Sequence, residues 1–269
     1  MTRTTSTKTA VFRRLALDGW RGMIGWIIGI AATLGLYLPL YPSMQSDELV
    51  ELMDSFPPEL LNALNMSDVV TGAGYTHATF FGLLGYVLLV IATTAWGAAF
   101  IAGMEESGRL ELTLAHAVGR VQYALESIAA LLVKILALAV VTFGLIWALN
   151  EPSELGLAAT KLLAATIAWA SLGLVSGVTA LAAGALTGRR IWAIGAGAGI
   201  AVISYVLDAV ANSTESLDWL RAISPFSWAY GDHPLANGFD WSGLGLLWAL
   251  CAIGVGLTAW ALSRRDIVW

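Results

Sequence analysis

The chain has 269 residues, of which 58% are hydrophobic and only 12% charged, with 12 Trp, 28 Gly and a mean hydropathy of +0.74. That balance excludes an ordinary soluble domain and marks a membrane protein. A formal charge of −5 without a basic stripe argues against nucleic acid, because nothing is present to neutralise phosphates.

The first element comes from TKTAVFRRLALDGWRG, which sets Val11, Phe12, Leu15, Leu17 and Trp20 among Arg13, Arg14, Asp18 and Arg21. This mixture predicts a helix over 11–20 lying in the membrane interface. A basic start before an apolar run also fits a cleavable signal, and Arg13-Arg14 resembles a twin-arginine signal. Both readings fail. The apolar stretch outruns a signal core, ends in LYLPLYPS without a small-x-small cleavage site, and is followed by five more apolar stretches.

A spanning helix needs about 20 mostly apolar residues to cross roughly 30 Å of hydrocarbon. Six stretches qualify, near Trp20 to Leu38, Thr79 to Ala102, Ile128 to Leu149, Leu157 to Leu186, Ile191 to Ala211 and Leu244 to Leu262. The chain is thus expected to be an all-α membrane protein, with residues 1–269 forming a single transmembrane domain.

Between the first two spans, residues 40–76 carry DELVELMDSF and, after Pro57-Pro58, ELLNALNM. Their leucines recur at helical spacing, which predicts two short amphipathic helices on the outer membrane surface. Between spans two and three lies GMEESGRLELTLAHAVGRVQYALES. Here Leu110, Leu114, Ala117, Val118 and Val121 form one helical stripe, and Glu105 and Glu106 stand four and three residues before Arg109. Those spacings favour ion pairs, and an amphipathic helix is expected over 104–122.

Charges within spans are few. Lys134 stands two turns beyond Glu126 and could snorkel toward the cytoplasm; Asp208 lies near the outer end of its span. Snorkelling or a structural pair explains each better than a transport path, and no chain of such groups suggests a proton relay. Gly25 and Gly29, Gly173 and Gly177, Gly184 and Gly188, and Gly195 and Gly199 repeat at four-residue spacing. Such faces let helices approach closely, more often inside one bundle than at a dimer seam. Residues 212–243, rich in Trp and Tyr and interrupted by Pro225 and Pro234, read as an outer or re-entrant helical connection.

Catalytic chemistry is not expected. GLVSG around Ser176 resembles an intramembrane serine protease site, but no span holds a His to act as base. His77 and His233 fall near the outer surface while His116 is cytoplasmic, so the three cannot cluster. The single Cys251 has no second Cys or clustered His with which to hold a metal. A P-loop needs Gly-Lys-Ser/Thr, and neither Lys8, Lys134 nor Lys161 follows a Gly. Any nucleotide must be hydrolysed by another polypeptide.

Orientation follows from Lys and Arg in the short connections, which stay cytoplasmic. With the N-terminus inside, Arg3, Lys8, Arg13, Arg14, Arg21, Arg109, Arg120, Arg189, Arg190, Arg264 and Arg265 are all cytoplasmic. Only Lys161 and Arg221 fall outside or near the outer surface. Both termini are then cytoplasmic, and so is the 104–122 segment.

EESGRLELTLAHAVGR resembles the segment of ABC-2 type (type V exporter-like) permeases that runs Glu-Glu, a Gly, a Glu-Leu-rich stretch and a closing Arg. ISPFSW at 223–228 and the ending SRRDIVW are also similar to that family, and lie in the expected order. The resemblance implies a bacterial inner-membrane or plasma-membrane permease subunit of an ATP-driven exporter. It implies that 104–122 is a coupling helix seated in an ATPase subunit, with Glu105, Glu106, Gly108, Arg109, Leu110, Glu111, Leu114 and Arg120 transmitting motion. Phe12, Arg13, Arg14 and Trp20 of the interfacial helix would form a second contact, and Pro225, Phe226 and Trp228 belong to the outer connection. A second permease chain, identical or not, would pair around the substrate path among membrane lipids. ATP and Mg would reside in the partner ATPase, with no cofactor or metal in this chain. An apolar path suggests a lipophilic drug, antibiotic or lipid as substrate. The alternative is a non-transporting scaffold or sensor whose cytoplasmic helix docks a partner.

Overall fold

The structure, a computed structural model, describes residues 10–17, 19–45, 71–114, 119–213 and 215–265. Among the described residues every regular element is helical. A short helix α1 (Ala10–Leu17) precedes α2 (Trp20–Tyr37), which continues as a 3₁₀ turn over Leu38–Gln45. Next come α3 (Gly72–Glu106), short α4 (Arg109–Leu114), α5 (Arg120–Asn150), α6 (Ala159–Thr187) and α7 (Arg190–Ser213). A 3₁₀ segment (Glu215–Ile223), α8 (Pro225–Tyr230) and α9 (Pro234–Asn237) lead into α10 (Trp241–Arg264). Helices α2, α3, α5, α6, α7 and α10 are the six long and apolar enough to cross a membrane. The two amphipathic helices expected within 40–76 fall on residues 46–70, outside the described residues.

Helix α6 is the hub, packed against α3, α5, α7 and α10, while α2 lies at the periphery with most of its surface outward. Small residues set the spacing. A Cβ on Gly177 would stand 2.8 Å from Leu131 Cδ2 and 3.3 Å from Thr93 Cβ, so α3, α5 and α6 meet there without side-chain bulk. Gly173 receives Leu89 in the same way. By contrast Gly25, Gly29, Gly195 and Gly199 have open space above them, so those pairs do not pack within the bundle.

The contacts sort the helix ends into two groups. One end gathers Arg190, Arg264 and Arg265 with the starts of α1, α5 and α7; the other carries Glu151, Glu154, Asp218, Asp232 and Asp240. Exposed Trp20, Trp192 and Trp260 ring the basic end, and exposed Trp219 and Trp241 the acidic end, as expected for amphipathic rings at headgroup depth.

Helix α1 docks through Val11 and Leu15, one turn apart and both buried, while Arg13 and Arg14 are exposed. One N-terminal amide is met from α5: the Phe12 N–H donates to Glu126 Oε2 at 2.7 Å, and Gln122 Nε2 steadies that carboxylate by donating to Oε1 at 2.7 Å. Gly19, at φ +79°, makes the left-handed turn that redirects the chain into α2.

Two intramembrane charges depart from snorkelling. Lys134 is buried, its ammonium 5.4 Å from the Trp96 ring centroid, because the face of α5 on which it lies packs into the bundle. Asp208 is also buried and accepts from Ser227 Oγ at 2.6 Å and Asn212 Nδ2 at 3.0 Å, the structural pairing that a buried carboxylate requires.

Candidate functional site

The segment between α3 and α5 is not the single helix expected over 104–122. Helix α3 runs on through Glu106, the chain reverses at Gly108 with φ +68°, and α4 covers only Arg109–Leu114. Gly119 is extended and α5 begins at Arg120; residues 115–118 lie outside the described residues, and His116 with them. Gly108 is the physical cause, since a left-handed residue that relieves Cβ crowding ends a helix.

The break changes the partners of the two glutamates. Neither follows the spacing to Arg109. Glu105 binds Arg265, which donates through both Nη atoms, one to Glu105 Oε2 at 3.2 Å and the other to Oε1. Glu106 Oε1 accepts the Arg190 N–H at 2.8 Å and so caps the start of α7. Arg109 and Leu112 are exposed, whereas Leu110 is fully buried beside Phe100, Tyr123 and Leu15 in the basic-end core. Glu111 and Leu114 are half-buried. Arg120 turns inward and donates from Nη1 to the Arg265 carbonyl at 2.6 Å. Two features outside the expected site complete this end: the pairing of Arg265, a residue of the SRRDIVW ending to which the sequence assigns no partner, and a widened π turn at Ala99–Gly103 whose Phe100 carbonyl accepts the Tyr123 hydroxyl at 2.6 Å.

Of the interfacial residues, Phe12 is half-buried on α5, and Trp20 projects outward. Thus α1, α4 and the α5 start share one end of the bundle.

At the acidic end, ISPFSW forms a built corner. Ser224 Oγ accepts the Ser227 N–H at 3.2 Å and donates to the Ser204 carbonyl at 2.7 Å, and Pro225 follows at the first helical position. Phe226 is fully buried, with Tyr86, Tyr205 and Tyr230 ring centroids at 5.1, 5.2 and 5.0 Å. Trp228 is half-buried and its Nε1 donates to the Ala222 carbonyl at 3.0 Å. His77 meets Tyr230 edge-on at 4.8 Å. Burial, reinforced by the Tyr86 phenol, pushes the Tyr230 hydroxyl well above its ordinary pKa. This connection caps the bundle as a helix pair. Among the described residues no three His, Cys, Asp or Glu side chains gather as a metal site would require.

Six spanning helices around a small-residue hub, with Trp at both ends, define a polytopic integral membrane protein of all-α class. Residues 15–263 match the family described as the C-terminal domain of the multidrug efflux system permease Rv1217c, and the chain belongs to that family. Comparison with curated proteins finds no match. The family makes the chain an efflux permease domain, and a permease of an efflux system implies partner components.

Proposed function

We propose that the chain is the ABC-2 type permease subunit of an ATP-driven exporter, with its basic end in the cytoplasm. The observation that carries this reading is α4: a short helix anchored by fully buried Leu110 and offering Arg109 and Leu112 outward, at the end where α1 also docks. A partner seated there gains a charged contact and an apolar one on an element fixed to the bundle. Coupling residues are then Arg109, Leu110, Glu111 and Leu114 on α4, flanked by Glu105, Glu106, Gly108 and Arg120. The ATPase subunit holds ATP and Mg, the chain itself is no enzyme, and a second permease chain completes the assembly. Nucleotide-driven closure of the ATPases would shift α4 and, with it, α3 and α5, exchanging inward and outward states of the permease.

The substrate is a lipophilic molecule. A groove of about 360 Å³ between α3 and α7, walled by Leu83, Tyr86, Val90, Ala198, Val202 and Tyr205, supports this because its surface is apolar. The Tyr86 hydroxyl is turned away into a 3.0 Å bond with the Ala201 carbonyl. Ethidium retention in cells with and without the chain tests the reading. Efflux that stops on ATP depletion but survives collapse of the proton gradient is expected; the reverse pattern would refute ATP coupling.

A further inference from the structure

We propose that Arg265 is a positioning residue for transport: it clamps both flanks of the 107–119 segment and passes movement of α4 to α6 and α10. The proposal rests on α4 being the ATPase contact. Before the segment, the Arg265 guanidinium holds the Glu105 carboxylate with two N–H donors. After it, the Arg265 carbonyl accepts from Arg120 Nη1 at 2.6 Å. The same guanidinium also donates to the Ala185 carbonyl of α6 at 3.1 Å, and the Arg265 N–H closes the last turn of α10 on Ala261 at 3.0 Å. One residue therefore joins the end of α3, the start of α5, the end of α6 and the end of α10.

The geometry suits a stiff strut. Paired N–H···O bonds between guanidinium and carboxylate fix orientation as well as distance. The side chains are only 30% and 15% exposed, so water and salt screen the pair less than an open surface pair. Space for it is built into α6. Gly188 ends that helix at φ +65°, and a Cβ there would run into both the Arg265 guanidinium and the Glu105 carboxylate. A displacement of α4 that carries the end of α3 with it cannot then be absorbed at the 105–265 junction; it must move α10 or break the strut.

The test is a double-mutant cycle of Glu105→Gln and Arg265→Gln, with Arg265→Lys as the conservative variant, in the full chain expressed with its ATPase. Ethidium efflux is read per folded molecule, folded chain being counted by protection of Cys251 from a thiol reagent. Each single Gln variant should lose on the order of ten-fold in efflux rate, the double variant no more than either single, and Arg265→Lys should recover part of the loss. Losses that multiply in the double variant, or that vanish after correction for folded chain, overturn the proposal. The same cycle read as ATPase activity of the purified complex should show hydrolysis persisting while ethidium no longer stimulates it; stimulation kept at the wild-type level overturns it too. Efflux that survives ATP depletion with a non-additive cycle would sink the ATPase reading and leave the strut. ATP-dependent efflux with multiplying losses would do the opposite.

Discussion

Replacing Gly188 with Ala adds one methyl group at the end of α6 and should cost more than the same change at Gly156. Both glycines are left-handed, at φ +65° and +64°. An L side chain in that region costs about 1–2 kcal/mol. Gly156 has open space where its Cβ would stand, so Gly156→Ala incurs that cost alone. At Gly188 the methyl also collides with the Glu105–Arg265 pair. Charge-assisted hydrogen bonds contribute about 1.5–3 kcal/mol when well shielded, and partial exposure lowers the share lost here to about 1–2 kcal/mol. Gly188→Ala should therefore cost about 2–4 kcal/mol, roughly twice the control. Cys251, the single cysteine, is buried and reports the opening of the bundle when a thiol-reactive fluorophore is present during heating in detergent. Both variants should lower the labelling midpoint, Gly188→Ala about twice as far as Gly156→Ala. Equal shifts would refute the argument that Gly188 makes room for the pair.

Phe226→Ala removes a fully buried ring from among three tyrosines and should destabilise the acidic-end corner by about 3–5 kcal/mol, read as a drop in the same labelling midpoint. Asp240 caps α10. Burial opposes its charge, but hydrogen bonds from Ser242 Oγ and the Gly243 and Ser242 N–H groups outweigh that and hold its pKa below the ordinary 3.8. A depressed carboxyl stabilises the fold fully above its unfolded value and loses that contribution as the pH falls below 3.8 through the lower folded value. The midpoint difference between wild type and Asp240→Asn should accordingly shrink across that acid window, and a constant difference would contradict the capping role.

The six spans were legible because each is a long apolar run, and lipid leaves the backbone of such a run no alternative to helix. Boundaries were less so. Helix α3 begins at Gly72 rather than near Thr79, since GAGYT reads as loop by composition yet is started by Thr71, whose Oγ1 accepts the Gly74 N–H at 3.0 Å. Residues 11–20 read as one amphipathic mixture, but only packing separates the docked Val11 and Leu15 from the exposed Leu17 and Trp20; Pro225, read as an interruption, instead opens α8 behind the Ser224 cap. The partners of Glu105 and Glu106 were not local. Their spacing to Arg109 presupposed an unbroken helix, which Gly108 forbids, while the true partners stand 160 and 84 residues away. Gly108 itself was the available signal. Lys134 misled for a related reason: distance from the membrane edge favours snorkelling, but only packing reveals that its face points inward.

Contact of α4 and its flanks with an ATPase subunit is what the proposed function requires. Its most direct test is co-purification of the tagged chain with the ATPase subunit, followed by ATPase assay of the complex with and without Arg109→Glu, an exposed substitution that leaves the bundle core intact. A stable complex is expected, with substrate-stimulated hydrolysis that falls sharply in Arg109→Glu while Cys251 protection is unchanged. Wild-type stimulation in that variant, or a chain that binds no ATPase at all, would contradict that contact.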